Sequence, residues 1–173
     1  METCAAAIDL EDAYNRVPLD FLMTIMLQLQ VSPFIVRWIV SALFQGQVVL
    51  KCGSWSSAPT VISPELPQGS SLSPVLFNVY TVQITSCQIA RPGRTMSYAD
   101  DILVHRQGRD IKTIARNLQR ELDRIGEWCS NSGAFVNPSK ASITWFSLNN
   151  HIVNTSTPSV TLRGDVLERT STM

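Results

Sequence analysis

Met96-Ser97-Tyr98-Ala99-Asp100-Asp101-Ile102-Leu103-Val104 sets two adjacent carboxylates inside an otherwise apolar, strand-forming run. Neighbouring carboxylates repel, and burying an unpaired charge is costly. Two readings compete. In one, the pair forms the turn of a hairpin, a position where Asp is common. In the other, it holds a hard divalent cation, which takes oxygen ligands and cancels the repulsion. The rest of the chain discriminates between them.

The 173 residues suit one domain with a sizeable core; 45% are hydrophobic and 16% charged, a globular balance and not a disordered one. Formal net charge is zero, so no overall basic character announces a nucleic-acid partner. Such a partner must be held by a local patch, by metal ions or by parts of a larger protein. Cys4, Cys52, Cys87 and Cys129 lack the close pairing of a zinc site, with only His105 and His151 to assist. They read as buried thiols of a reducing, intracellular compartment. The start, Met1-Glu2-Thr3-Cys4, has no basic n-region of a signal peptide. The apolar region from Phe21 to Phe44 is broken by Gln28, Gln30, Pro33 and Arg37, so two packed helices are expected and not a membrane span.

Around the Asp pair, Thr95 to Arg106 is predicted as a hairpin. Upstream, Ala5 to Asp9 reads as a short buried strand ending on a carboxylate. Two helices follow, with apolar stripes Leu19, Leu22, Met23, Met26, Leu27, Leu29 and then Phe34, Ile35, Trp38, Ile39, Ala42, Leu43, all expected in the core. Gln47–Cys52 and Ala58–Ile62 are predicted as strands joined through Gly53-Ser54. In Gln68-Gly69-Ser70-Ser71-Leu72-Ser73-Pro74, Ser73 is expected to cap a helix that Pro74 opens. That helix carries Val75, Leu76, Val79 and Ile84, and its start is open to a phosphate or is an ordinary loop. The strongest helix runs between a cap at Asp110 and a stop at Gly133. Its polar face, with Arg116, Arg120, Glu121, Asp123, Arg124 and Glu127, is mixed in sign and reads as solvated. A turn at Val136–Lys140 leads to a strand over Ala141–Phe146. A polar tail from Leu148 holds one weak strand, Ser159–Leu162.

This order fits an α+β fold, an antiparallel sheet packed on helices. If the strand ending at Asp9 lies beside the hairpin, Asp9, Asp100 and Asp101 converge at one sheet edge. Three carboxylates there suit two magnesium ions and phosphoryl transfer. A metal-dependent phosphohydrolase or nucleotidyl cyclase on a similar sheet would explain these carboxylates as well.

Four blocks then resemble the palm of a reverse transcriptase of the non-LTR (LINE-type) retrotransposon class. They are Ile8-Asp9-Leu10-Glu11-Asp12-Ala13-Tyr14-Asn15-Arg16-Val17, Leu66-Pro67-Gln68-Gly69-Ser70-Ser71-Leu72-Ser73-Pro74-Val75-Leu76-Phe77-Asn78, Tyr98-Ala99-Asp100-Asp101 and Asn137-Pro138-Ser139-Lys140-Ala141. The Pro-Gln-Gly-Ser block is the one that a phosphohydrolase or cyclase does not explain. The resemblance covers about Ala5 to Phe146. It implies a ferredoxin-like palm over residues 1–147, with 148–173 starting the connection to a thumb. It implies an RNA-directed DNA polymerase that uses an RNA template, a DNA primer and a deoxynucleoside triphosphate, with two Mg2+ ions, in the nucleus and with no membrane.

By the same likeness Asp9, Asp100 and Asp101 are catalytic and hold metal, with the Leu10 carbonyl a further ligand. Tyr14 screens the ribose 2′-OH, Gln68 and Gly69 line the nucleotide and template pocket, and Lys140 meets the triphosphate. Asn15 departs from the pattern, since the family usually has an aspartate there. The family's fingers, thumb and endonuclease segments are expected in a larger polyprotein. An inactive retroelement piece with weak nucleic-acid affinity is the alternative.

Overall fold

The apolar alternation of the first residues becomes a strand longer than expected, β1 (Glu2–Asp9), in a computed structural model that describes residues 1–44, 46–61, 66–86, 93–147 and 157–170. In chain order there follow α1 (Leu19–Gln28), α2 (Pro33–Phe44), β2 (Gln47–Val48), β3 (Lys51–Cys52), β4 (Trp55–Ser56), β5 (Thr60–Val61) and α3 (Ser73–Ser86). Then come β6 (Gly93–Tyr98), β7 (Asp101–Gly108), α4 (Ile111–Ser132), β8 (Ser142–Phe146), β9 (Thr161–Leu162), β10 (Asp165–Val166) and β11 (Glu168–Arg169). The chain divides into two compact units, Met1–Ala13 with Thr81–Met173, and Tyr14–Tyr80.

The first unit is built on a five-stranded sheet in the order β11-β8-β1-β7-β6. The four strands β8, β1, β7 and β6 are antiparallel neighbours, as predicted, in a ferredoxin-like arrangement. β11 adds itself parallel to β8, so the polar tail contributes more than the single weak strand expected of it. Side chains alternate across a strand. Cys4, Ala6 and Ile8 of β1, Ile102 and Val104 of β7, and Ile143 and Trp145 of β8 are buried. α4 packs on β1 and β7 with Ile114, Leu118, Leu122 and Ile125 buried at helical spacing. Asp110 caps it by accepting from the Thr113 N–H at 2.9 Å, and Gly133 ends it at φ 78°, where a Cβ would strain the turn.

The charged face of α4 differs from its sequence reading. Glu121 is fully buried: it pairs with Arg106 at 3.0 Å, bonds Arg124, and accepts from the Thr95 hydroxyl at 2.9 Å. Arg124 also donates to the Gln83 and Ile84 carbonyls, capping the end of α3. The pattern held the clue. Arg106 follows Ile102 and Val104 at period two, and Glu121 lies on the stripe of Ile114, Leu118 and Leu122.

In the second unit Leu19, Leu22, Ile25 and Met26 of α1 are buried, but among the described side chains of α2 only Val36 and Ile39 are. Leu27, Leu29, Phe34, Ile35 and Trp38, expected in the core, are exposed. Periodicity marks an apolar stripe; it does not supply the surface that covers it. The predicted strand pair is a ladder in two pieces. β2 pairs with β5 and β3 with β4, with Leu50 and Ser57 bonded between them. Trp55–Ser56 is thus a strand where a connector was expected, while Ile62 lies outside the described residues.

α3 starts one residue earlier than predicted, with Leu72 before it, because the Ser73 hydroxyl donates to the Pro67 carbonyl at 2.7 Å instead of capping the helix. Its buried side chains include Leu76, Phe77, Tyr80 and Ile84; Val75 is exposed. Burial of the thiols holds for Cys4 and Cys129, which it pushes up to about 12 and about 11. Cys52 is exposed, because β3 has no covering layer, and Cys87 and His151 lie outside the described residues.

Candidate active site

Asp9 and Asp101 come beside each other because β1 and β7 are neighbours in register. Asp9 stands opposite Asp101, and Tyr98 opposite Asp101 across the hairpin. Ala99 and Asp100 form the two-residue turn, with Ala99 at φ 50°. The turn and metal readings of the Asp pair are therefore compatible. Asp100 makes the turn, and the turn delivers Asp101 to the Asp9 side of the sheet.

Main-chain bonds fix this end of the sheet. The Leu10 N–H donates to the Asp100 carbonyl at 3.1 Å. Asn137 N–H donates to the Asp9 carbonyl at 2.9 Å and Glu11 N–H to the Phe135 carbonyl at 2.8 Å, flanking a Leu10–Val136 bridge. That is the widely spaced pattern, so the Leu10 N–H and C=O both turn away from Val136, toward the hairpin. No hydrogen bond reaches the Leu10 carbonyl among the described residues.

Lys140 reaches back over this edge. Its Nζ lies 3.2 Å from Asp9 Oδ2 and 3.5 Å from Oδ1. The Asn137–Lys140 turn aims it. Asn137 Oδ1 accepts from the Ser139 N–H and hydroxyl, and the Lys140 N–H donates to the Asn137 carbonyl. Sequence reasoning saw Lys140 but gave Asn137 no task; its main chain bonds Asp9 while its side chain shapes the lysine turn. An open groove of about 610 Å³ runs from this cluster along the sheet, lined by Ala7, Asp9, Met96, Tyr98, Asp101, Leu103 and Lys140 among others.

No three His, Cys, Asp or Glu side chains converge closely enough to hold a metal ion among the described residues. The donor chemistry nevertheless suits one. Carboxylates from Asp9, Asp100 and Asp101 and an unbonded Leu10 carbonyl are hard oxygen donors. A cation, the Lys140 ammonium, already sits on Asp9.

The remaining sequence candidates belong to the second unit. Tyr14 stacks on Phe77, with ring centroids 4.8 Å apart and planes 19° apart. Its carbonyl accepts the Leu66 N–H at 3.1 Å, tying the Tyr14 segment to the start of the Gln68-Gly69 loop. Gln68 and Gly69 are exposed, and Gly69 takes φ 89°, which a side chain would strain. The Ser73 N–H bonds the Ser70 carbonyl and Pro74 has no N–H, so the start of α3 offers fewer free amides than the phosphate reading requires.

A family model described as Reverse transcriptase (RNA-dependent DNA polymerase) matches residues 1–161. The probable RNA-directed DNA polymerase from transposon BS of Drosophila melanogaster is 29% identical over 98% of this chain and 19% of its own length. The probable RNA-directed DNA polymerase from transposon X-element of the same organism is 25% identical over 82% of this chain and 16% of its own. The chain thus spans less than a fifth of the curated relatives it matches. Among solved structures, apo telomerase from Candida tropicalis superposes with a TM-score of 0.65 at 14% identity, over 94% of this chain and 33% of that one. The same organism's telomerase with a telomeric RNA fragment gives 0.66 at 15%, over 96% and 30%. At such identities these two show the fold alone. No described helix is long and apolar enough to cross a membrane.

Proposed function

The chain belongs to the reverse transcriptase (RNA-dependent DNA polymerase) family, and on that premise we propose that it is the polymerase palm of a non-LTR retrotransposon. In this role it joins a deoxynucleoside triphosphate to a primer 3′-OH on an RNA template. The observation that supports this most is the register pairing of Asp9 with Asp101 beside the Asp100 turn, at the head of an open groove. Asp9, Asp100, Asp101 and the Leu10 carbonyl would hold two magnesium ions, which when bound lower the pKa of an attacking hydroxyl and neutralise charge on the transferring phosphoryl group.

The chain's own residues do the rest. β1 and β7 hold the carboxylates at one edge, so no loop has to be ordered to present Asp9 or Asp101. Lys140, exposed and paired to Asp9 at a solvent edge, is free to turn toward a leaving pyrophosphate and stabilise or protonate it. The Tyr14 ring, held by its stack on Phe77, is in this reading the screen against a ribose 2′-OH. Gln68 and Gly69 line the nucleotide and template pocket. Residues 1–147 are assigned to the palm and 148–173 to the start of the thumb connection, within a larger polyprotein acting in the nucleus.

Primer extension on an RNA template with magnesium tests the assignment. The chain should extend the primer, and Asp9→Asn with Asp101→Asn should bring extension below detection while the melting temperature holds. Extension surviving in that double variant removes the carboxylates from the chemistry. No extension by the unaltered chain, beside extension by a form continued at both ends, makes it one part of the polymerase; no extension by either favours an inactive retroelement piece. In the same assay Tyr14→Ala should admit ribonucleotides; unchanged sugar selectivity returns Tyr14 to a packing role.

A further inference from the structure

We propose that the outer face of α4 is a second nucleic-acid contact, a phosphate-binding stripe of Arg109, Lys112, Arg116 and Arg120 separate from the carboxylate groove; the inference rests on the polymerase reading for the kind of partner it names. All four side chains are exposed. In sequence the stripe is diluted by Glu121, but the structure draws Glu121 fully into the core to meet Arg106 and Arg124. Of the nearby acids, Asp110 spends its carboxylate on the helix cap, and Asp123 accepts from Gln119 at 2.7 Å. Within the first half of α4 the exposed charged side chains, Lys112, Arg116 and Arg120, are all cations, with the Asp110 carboxylate exposed at the cap.

The stripe works against the helix that carries it. Cations near a helix start oppose the macrodipole, and Lys112–Arg116 and Arg116–Arg120 are like-charged i,i+4 pairs. The Asp110 cap offsets this at Lys112 alone, so the Arg116–Arg120 pair is left unfavourable for the helix, which points to an external counter-charge. Four-residue spacing sets Lys112, Arg116 and Arg120 about 6 Å apart along one line of α4, with Arg109 just before its cap, suited to a linear polyanion and not to a single small ion.

A groove of about 410 Å³ runs beside the stripe, between Lys112, Arg116 and Gln119 on α4 and Pro158 and Ser159 of the tail. The Gln119 amide fixes that wall by bonding both the carbonyl and the N–H of Thr161, at 2.9 and 2.8 Å. No large apolar side chain of α4 is exposed. A protein interface needs apolar or aromatic anchors at its core, and a membrane-surface helix needs an apolar face to insert. A phosphodiester backbone needs neither, because its affinity comes from cations replacing condensed counterions.

The test is fluorescence anisotropy of a labelled single-stranded RNA homopolymer with the whole chain, across a salt series. Arg116→Ala with Arg120→Ala should weaken binding about tenfold and lower the slope of log affinity against log salt by about 1.4, the value for two lost single-strand contacts. The exposed positions leave circular dichroism and melting unchanged. Equal affinity and slope in the double alanine variant overturn the stripe, as does equally effective competition by polyglutamate or by phosphatidylserine vesicles. Stripe-dependent RNA binding without primer extension would strike the polymerase reading alone. Extension with stripe-independent binding would strike the stripe alone.

Discussion

Two clusters of charge sit on opposite faces of one sheet and obey opposite rules. On the α4 side, Arg106, Glu121 and Arg124 are drawn together with Thr95, and Arg106 and Glu121 have almost no access to water. On the other side, Asp9 and Asp101 face an open groove with one exposed lysine for company. A buried ion must be matched by partners, since desolvation is not repaid otherwise. An exposed cluster can be left under-compensated, because water screens it until a ligand arrives. The first arrangement holds the hairpin strands to α4. The second leaves anionic oxygens available at the sheet edge, which is what the proposed chemistry requires.

Breaking the buried cluster should have the larger effect on folding. Glu121→Ala leaves Arg106 buried without its partner and should cost about 3–5 kcal/mol in urea unfolding. Replacing the pair together, Arg106→Met with Glu121→Leu, should recover most of that loss. A cost below about 1 kcal/mol for Glu121→Ala would place the cluster among exposed pairs and end the comparison. On the open face, Lys140→Met should change stability by less than about 1 kcal/mol, because Lys140 is exposed and Asp9 keeps its side to the groove. It should still lower primer extension by about a hundredfold if Lys140 acts on the leaving group. Equal extension by Lys140→Met and the unaltered chain would leave the lysine as a placeholder on Asp9.

The helix limits of α4, its Asp110 cap and its Gly133 stop were legible because capping is local chemistry that the sequence carries on its face. The hairpin around Asp100-Asp101 was legible for the same reason. The fate of α2 was not. Phe34, Ile35 and Trp38 form a regular apolar stripe, yet a stripe states only which face would be buried. Glu121 shows the converse error. It was grouped with its charged neighbours, although its position on the stripe, and that of Arg106 on its strand, marked both for the interior.

By itself, then, the sequence determined the local elements and the identity of the candidate carboxylates, because turns, caps and side-chain chemistry depend on near neighbours along the chain. It could name Asp9 and the Asp100-Asp101 pair but not seat them together. Only the tertiary structure decided that β1 lies beside β7, setting Asp9 opposite Asp101. It also decided that Lys140 returns over that edge and that Glu121 leaves the surface to uncover a line of cations. Those outcomes rest on strand pairing and burial between residues roughly 15 to 130 positions apart. No local pattern encodes such contacts, since they form only when the whole sheet has closed.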